Sequence, residues 1–505
     1  MTQTLEESVG QLIIGKVPAK VLDDDNKDCL KHGITSGITI FSENVEFREQ
    51  VIELTDAVRL FSRHPAIIAV DQEGGAVQRL DKIITPIPSM MAMGKLNDKE
   101  RLDLVIGLAG KQMRLLGINC VFAPVLDVNT NARNPIIGTR AFGSNPALVA
   151  DLGAAVIRSY IDSGVLPVAK HFPGHGDSDV DSHLTLPKLN HDMERLESIE
   201  LFPFRENLLI APAMMVAHLW ITALNKDPLP ASLSPEVVSD LLREQMGYQN
   251  LLVSDDMLMK AIGNTWGLEE ACVRAIAAGL DLLLVCSNAA DARKVNEAIV
   301  SAVRSGRIPE ERIQRAARAR QAALNKIPAH DEMDKARRLS ILEKSVSASD
   351  PIVLDSSFKA LETRGFPRRA FAVAEPIHLF IPQHDRYQLK FRESLLELLP
   401  EMEIHLVEHR YKFNDMTDAQ CAEMARNSGQ NCVLFTFRAV INRQQLKLAE
   451  YLQEQAPNRL LVACDIPYDL DILQDWENAV AIHDPSDLGV RAFAQLVARQ
   501  LMCHH

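Results

Sequence analysis

The chain has 505 residues, 47% hydrophobic and 24% charged, with a formal net charge of −13. That length suits one barrel domain of roughly 250 residues with a smaller partner, or about three ordinary domains. The composition excludes intrinsic disorder, a collagen-like fibre and a coiled coil, and the acidic balance argues against nucleic acid, which needs clustered Lys and Arg. No apolar run approaches the ~20 residues of a bilayer span. The opening MTQTLEESVGQLIIGK is acidic with one short apolar stretch and does not read as a secretory signal. The eight cysteines form no CxxC pair, and Cys120, Cys286, Cys432 and Cys464 sit in apolar runs. They read as buried thiols of a reducing compartment. The expectation is a cytoplasmic globular enzyme with neither nucleic acid nor membrane as a partner.

Short apolar runs alternate with helix-period stretches over the first two thirds. Predicted strands are 38–41, 66–70, 120–125, 165–169, 214–217, 251–253 and 280–285, with amphipathic segments such as 47–61 and 196–209 between them. Near-continuous apolar strands separated by helices imply a parallel sheet covered on both faces. Seven such units in a row favour a closed (β/α) barrel over an open sheet. Asp71, Asp127, Lys170, His171, His218, Asp255 and Asp256 all fall at or just past a strand's last apolar residue. In a barrel those positions converge on one rim. A helical pair around Gly306 and Pro309 closes this region, giving a barrel domain over 1–335. Scattered Ser, Pro and Gly over 336–376 read as a linker with some helix. From 377 to 505, strands at 377–381, 404–407, 432–437 and 460–464 alternate with helices at 391–399 and 444–455. That pattern predicts a smaller α/β/α sandwich.

The densest polar cluster, 169–187, leaves a strand end through a loop rich in Pro and Gly. Asp177, Asp179 and Asp181 match the first ligands of an EF-hand loop, but Ser182 and Lys188 stand where Gly and Glu belong, so that reading fails. A transition-metal set of His171, His175 and His183 has no HExxH support, and Lys170 is a poor neighbour for a cation. The chemistry favoured is acid–base, with Asp181 orienting His183 so that its far nitrogen exchanges a proton near neutral pH. A solvated acidic loop is the plain alternative, weakened by the Gly174 and Gly176 hinges. No metal or cofactor is expected. In 251–257, two adjacent Asp cannot point the same way from a strand; one of Asp255 and Asp256 faces the site, and spacing leaves open which. Gly74-Gly75 in 71–79 continues into neither a P-loop nor a GxGxxG pattern. Arg79, Arg140, Lys170 and His171 share the rim as possible donors.

Four segments together, KHFPGHGDSDVDSHLTLP (170–187), DQEGGAVQR (71–79), NPIIGTRAF (134–142) and LLVSDDM (251–257), resemble glycoside hydrolase family 3, in particular its bacterial NagZ-like β-N-acetylglucosaminidase (β-hexosaminidase) branch. The resemblance covers about residues 5–327. It implies a TIM-like (β/α)8 barrel and a two-step retaining mechanism, with Asp255 as nucleophile, His183 as acid/base and Asp181 as its dyad partner. It also places Asp71, Arg79, Arg140, Lys170 and His171 on sugar-binding positions. A histidine in place of a carboxylic acid removes a negative charge and would tolerate phosphate as acceptor, so a phosphorylase is the second reading. A β-glucosidase of the same family follows it; there the acid/base comes from the second domain, whereas here 170–187 carries a complete candidate. A non-catalytic sugar-binding protein would be expected to lose Asp255 or His183. The implied substrate is a small glycoside, GlcNAc on a cytoplasmic muropeptide fragment; three Trp in the chain weigh against a long polysaccharide cleft. Ala76 departs from the branch, which often has a basic residue there. The second domain carries no recognisable site motif and is expected to pack on the barrel or to mediate a homo-oligomer.

Overall fold

The computed structural model describes residues 4–178, 186–263, 265–330, 333–365, 375–384, 387–402, 404–412 and 415–502. Among them, nine parallel strand segments make the first sheet: β1 Ile13–Lys16, β2 Gly37–Ile40, β3 Ile67–Val70, β4 Cys120–Val121, β5 Leu166–Pro167, β6 Ala169–Phe172, β7 Ala213–Val216, β8 Leu251–Asp256 and β9 Leu282–Leu284. Their order is β5-β4-β3-β2-β1-β9-β8-β7-β6. The two ends, β5 and β6, are separated by Val168 alone, so they form one stave and the sheet closes into an eight-stave (β/α) barrel. Helices such as Arg48–Phe61, Lys99–Leu115, Pro146–Asp162 and Leu268–Ala278 fill the crossovers.

The strands bury both faces, and the two faces belong to different clusters. Ile14, Ile67, Ala69, Leu166, Val168, Met215, Leu251, Val253 and Leu284 fill the barrel interior, while their neighbours Ile13, Ile68, Val70, Val216 and Leu252 pack outward against the helices. This alternation with period two is what the pleat requires. The first stave, Ile13–Lys16, has no counterpart among the predicted strands, because four residues including a glycine give too short a signal. Of the expected strand at 120–125 only Cys120–Val121 is regular; Pro124, with no N–H, interrupts it, and pairing resumes as a single bridge between Val125 and Lys170. The strands expected at 165–169 and 251–253 run on to Phe172 and Asp256, so Lys170, His171 and Asp255 lie within strands rather than beyond them.

Residues 336–376 include most of a long helix, Lys335–Ala360, which packs against the barrel helix Lys99–Leu115 and the C-terminal helix Asp487–Met502. The chain then enters the second sheet: β10 Glu362–Arg364, β11 Ile377–Pro382, β12 Leu406–Tyr411, β13 Asn431–Thr436, β14 Asn458–Ala463 and β15 Ala479–Ala481. Its order is β10-β15-β14-β13-β11-β12, with β10 antiparallel and the other pairings parallel. Val433 and Phe435 of β13 face one core with Phe391 and Phe493, and Cys432 and Leu434 face another with Leu448 and Leu452. The result is a three-layer α/β/α sandwich. Its strand order reverses between β11 and β13, and such a switch point opens a crevice at the strands' carboxyl ends.

That crevice faces the barrel. Arg438, just past β13, pairs with Asp465 and donates to the Asn134 and Pro135 carbonyls at 3.1 and 2.8 Å. Thr139 Oγ1 donates to Asp465 at 3.0 Å, and the Ser89 N–H donates to Asp484 at 2.9 Å. Replacing Arg438 by Ala leaves the Asp465 carboxylate, 1% exposed, without its cation. Breaking a buried pair costs roughly 3 kcal/mol or more; an unfolding free energy lowered by that amount in denaturant titration is the expected outcome, and an unchanged value would show that the clamp contributes nothing.

Candidate active site

The period-two alternation places the polar groups before any contact is considered. Ile67 and Ala69 point into the barrel, so the next residue of that parity is Asp71; Leu166 and Val168 lead to Lys170, and Leu251 and Val253 lead to Asp255. All three line one cavity of about 1590 Å3 at the carboxyl ends of the strands, together with Glu73, Arg79, Arg140, His171 and His175. Asp256 has the opposite parity. Its Oδ1 accepts from the Leu258 N–H at 3.1 Å and the Cys286 N–H at 3.3 Å, so it ties the β8 end to its surroundings. The choice that spacing left open is thus made by strand geometry, and Asp255 is the acid that meets the cavity.

The donors are held by a chain of ion pairs and hydrogen bonds that is buried at Glu73, Lys170 and Asp127 and partly exposed at Asp71 and Arg79. Arg140, in a single turn at Gly138–Arg140, grips Glu73 with two parallel bonds of 2.8 and 2.9 Å. Lys170 Nζ lies 2.6 Å from Glu73 and 2.8 Å from Asp71, and Arg79 stands 3.7 Å from the other Asp71 oxygen. On the other side Arg140 Nη2 meets His171 Nε2 at 3.2 Å, and His171 Nδ1 meets Asp127 at 2.6 Å. A guanidinium can only donate, so His171 Nε2 accepts and its proton sits on Nδ1, toward Asp127. Burial alone would raise the Glu73 pKa, yet the charges of Arg140 and Lys170 hold it far below the carboxylate range. Burial likewise opposes ionisation of Lys170, but Asp71 and Glu73 raise its pKa above the ordinary value. Glu73 carries no sequence signal that separates it from an exposed acid, because what marks it is the pair of cations brought from two other segments. Asp127, buried beneath His171, also accepts from the His175 N–H at 2.6 Å. His175 itself is pushed down to about 4, chiefly by burial.

Asp255 is kept ionised. Burial would raise its pKa, but the nearby charge of His218 and the Asp256 N–H, which donates to it at 2.8 Å, bring it below the usual value. Asp256 goes the other way, to about 6, because of burial and the neighbouring Asp255 charge. His218, a rim residue of the sequence reading, lies under this pair with Nε2 3.1 Å from the Asp256 carbonyl and Nδ1 2.7 Å from Ser232 Oγ.

Asp181 and His183 lie outside the described residues. On either side of them, Asp177 and His191 meet at 2.7 Å, and Arg195 pairs with Glu200 at 3.2 Å. Asp177, His191 and Glu200 bring ligand atoms within 4.8 Å of one another, but Arg195, 3.7 Å from Asp177 as well, already supplies positive charge there. Of the three histidines weighed as a metal set, His171 bonds Asp127, His175 Nδ1 bonds Ser178 Oγ at 2.7 Å, and His183 is outside the described residues.

The Glycosyl hydrolase family 3 N terminal domain profile matches residues 4–321. The chain is 36% identical over 270 residues to beta-hexosaminidase A of Pseudoalteromonas piscicida, covering 49% of this chain and 45% of that relative, so it spans about half of that protein's length. It is 35% identical over 290 residues to a beta-hexosaminidase of Alkalilimnicola ehrlichii, covering 55% of this chain and 81% of the relative. A family 3 beta-N-acetylglucosaminidase structure from a Paenibacillus species superposes with a TM-score of 0.88 at 30% identity, covering 99% of this chain and 97% of that one.

Replacing Glu73 by Gln leaves Arg140 and Lys170 buried without their shared anion, a loss of roughly 3 kcal/mol at neutral pH. Because the folded-state pKa of Glu73 is depressed, its contribution is complete above the ordinary value of 4.5 and is lost as pH falls below it. The stability gap between wild type and Glu73→Gln, from denaturant titrations at pH 7, 5 and 3.5, is therefore expected to narrow only at the last. A gap independent of pH would contradict this account.

Proposed function

This chain belongs to glycosyl hydrolase family 3, and we propose that it is a retaining exo-β-N-acetylglucosaminidase that releases terminal GlcNAc from muropeptide-type fragments in the cytoplasm. The observation that carries the reading is the meeting of an ionised carboxylate, Asp255, with a charge-balanced set of donors in one cavity. Asp71, Arg79, Arg140, Lys170 and His171 would hold the hydroxyls and acetamide of the sugar. Among the described residues the Nε–H of Arg79 is buried with no hydrogen-bond partner, a donor that a sugar oxygen would satisfy. No helix of the described residues is long and apolar enough to cross a membrane.

The chemistry runs in two balanced steps. Asp255 attacks the anomeric carbon while protonated His183, charged and oriented by Asp181, passes its proton to the leaving oxygen. A glycosyl ester on Asp255 and the free aglycone result. Neutral His183 then takes a proton from water as the water attacks the same carbon, which frees the Asp255 carboxylate with net retention. Ionised Asp255 is the form this needs, and the ion-pair chain beside it fixes the donors that would meet the sugar.

Initial rates on 4-nitrophenyl β-N-acetylglucosaminide and β-glucoside, with and without phosphate, test the reading. Turnover of the N-acetyl sugar, independent of phosphate and with the β-anomer first in the NMR spectrum, is the expected result. Acceleration by phosphate with release of a sugar 1-phosphate would make the enzyme a phosphorylase, and preference for the glucoside would make it a β-glucosidase. Asp255→Ala is expected to cut kcat by about 10^4-fold or more while the unfolding midpoint stays near wild type; activity within tenfold of wild type would remove Asp255 as nucleophile. His183→Ala is expected to slow a natural disaccharide far more than a dinitrophenyl glycoside, whose leaving group needs no proton. Equal losses on both would remove His183 as the proton donor.

A further inference from the structure

Asp127 is a carboxylate that the site contains and the cavity does not touch. It is 0% exposed, and His171, His175 and Arg140 line the cavity wall in front of it. Its two oxygens have different partners. Oδ1 accepts from the His175 N–H at 2.6 Å and the His171 N–H at 3.3 Å, whereas Oδ2 meets the His171 ring at Nδ1, 2.6 Å away. Burial opposes ionisation, but the bonds from His171 and His175 bring its pKa below the ordinary value, and a carboxylate can only accept. His171 Nδ1 therefore carries the proton, and the bare Nε2 faces Arg140 Nη2 at 3.2 Å. That lone pair takes one of the five N–H groups of the guanidinium. Nε and Nη2 give two more to Glu73, and Nη1 donates to the Ile136 carbonyl at 3.3 Å. Among the described residues one Arg140 N–H remains for a ligand, and its direction follows from the other four.

We propose that Asp127 is a positioning residue that fixes the His171 tautomer and, through it, the Arg140 guanidinium, and so decides which groups of the site donate to the sugar and which accept. With the proton on Nε2 instead, two N–H groups would face each other across 3.2 Å, and Arg140 or the ring would turn away. An Asn at 127 has nearly the same shape but a single oxygen. The two backbone N–H groups claim that oxygen, so the amide NH2 falls opposite Nδ1. Nδ1 then becomes the acceptor, and the ring proton moves to Nε2. The identity of the ligand as a sugar rests on the function proposed above; the tautomer rests on the hydrogen bonds alone.

The test begins with the imidazole nitrogen NMR spectrum of the full chain near neutral pH, in which the His171 signal is assigned by its loss in His171→Ala. The expected result is a proton on Nδ1 in wild type and on Nε2 in Asp127→Asn. A wild-type ring protonated on Nε2 or on both nitrogens overturns the proposal, and so does an Asp127→Asn ring unchanged from wild type. If Asp127→Asn does not fold, the wild-type spectrum decides. The second measurement is kcat/KM on 4-nitrophenyl β-N-acetylglucosaminide. Asp127→Asn is expected to lose about 10- to 100-fold with His171 present, the scale of one misdirected buried donor. In a His171→Ala background the same change is expected to cost almost nothing further, because Asp127 acts through that ring. Equal losses in the two backgrounds would make Asp127 a structural support only and overturn the positioning role. If wild type turns over no glycoside while the tautomer switches as expected, the positioning role stands and the hydrolase reading falls.

Discussion

Charge placed inside a low-dielectric barrel mouth must be neutralised locally, and this constraint organises the site. An isolated carboxylate or ammonium there would cost several kcal/mol, so Asp127, Glu73 and Asp71 alternate with Arg140, Lys170 and Arg79 in one chain, with His171 bridging its upper end. Its seven members come from three segments, 71–79, 127–140 and 170–171, and the chain therefore staples the loops after β3 and β4 to the end of β6. Glu73 carries the most weight because it is fully buried and holds Arg140 by two bonds and Lys170 at 2.6 Å, whereas Asp71 is partly exposed and Arg79 stands 3.7 Å from it. The same alternation that makes the cluster affordable leaves its outer surface rich in fixed donors, which is the form a polyhydroxylated ligand requires.

Strand parity supplies the rest of the arrangement. A closed barrel has one interior, and each strand sends every second residue into it. Where the interior residues stop being aliphatic, as at Asp71, Lys170 and Asp255, they reach a common level above the core. Asp256, one position on, spends its carboxylate on the Leu258 and Cys286 N–H groups instead. The two adjacent acids are consequently driven apart, Asp255 below the ordinary carboxylate value and Asp256 to about 6.

The second domain shares a physical logic with the first. Parallel strands present their carboxyl ends and following loops to one side, so two parallel-sheet domains set end to end enclose a cavity between their functional faces. Arg438, Asp465, Thr139 and Ser89 hold that juxtaposition with buried polar contacts. The long helix Lys335–Ala360 lies against both the barrel helix Lys99–Leu115 and the terminal helix Asp487–Met502, and so packs on both domains.

Sequence alone determined the architecture in outline: the strand–helix alternation, the barrel with its smaller sandwich, and the family through four motifs. Each is a local signal, because hydrophobic period and loop chemistry are written in consecutive residues. The first stave escaped detection, since Ile13–Lys16 is stabilised by β9 and β2 on either side rather than by its own four residues. Sequence could not choose between Asp255 and Asp256 without a family resemblance, since both faces of β8 are apolar and either parity could be the interior. It could not single out Glu73 or explain Asp127, whose partners lie 67 and 44 positions away in the chain. Those facts depend on which distant segments are brought together, and only the closed barrel and the docked sandwich decide that.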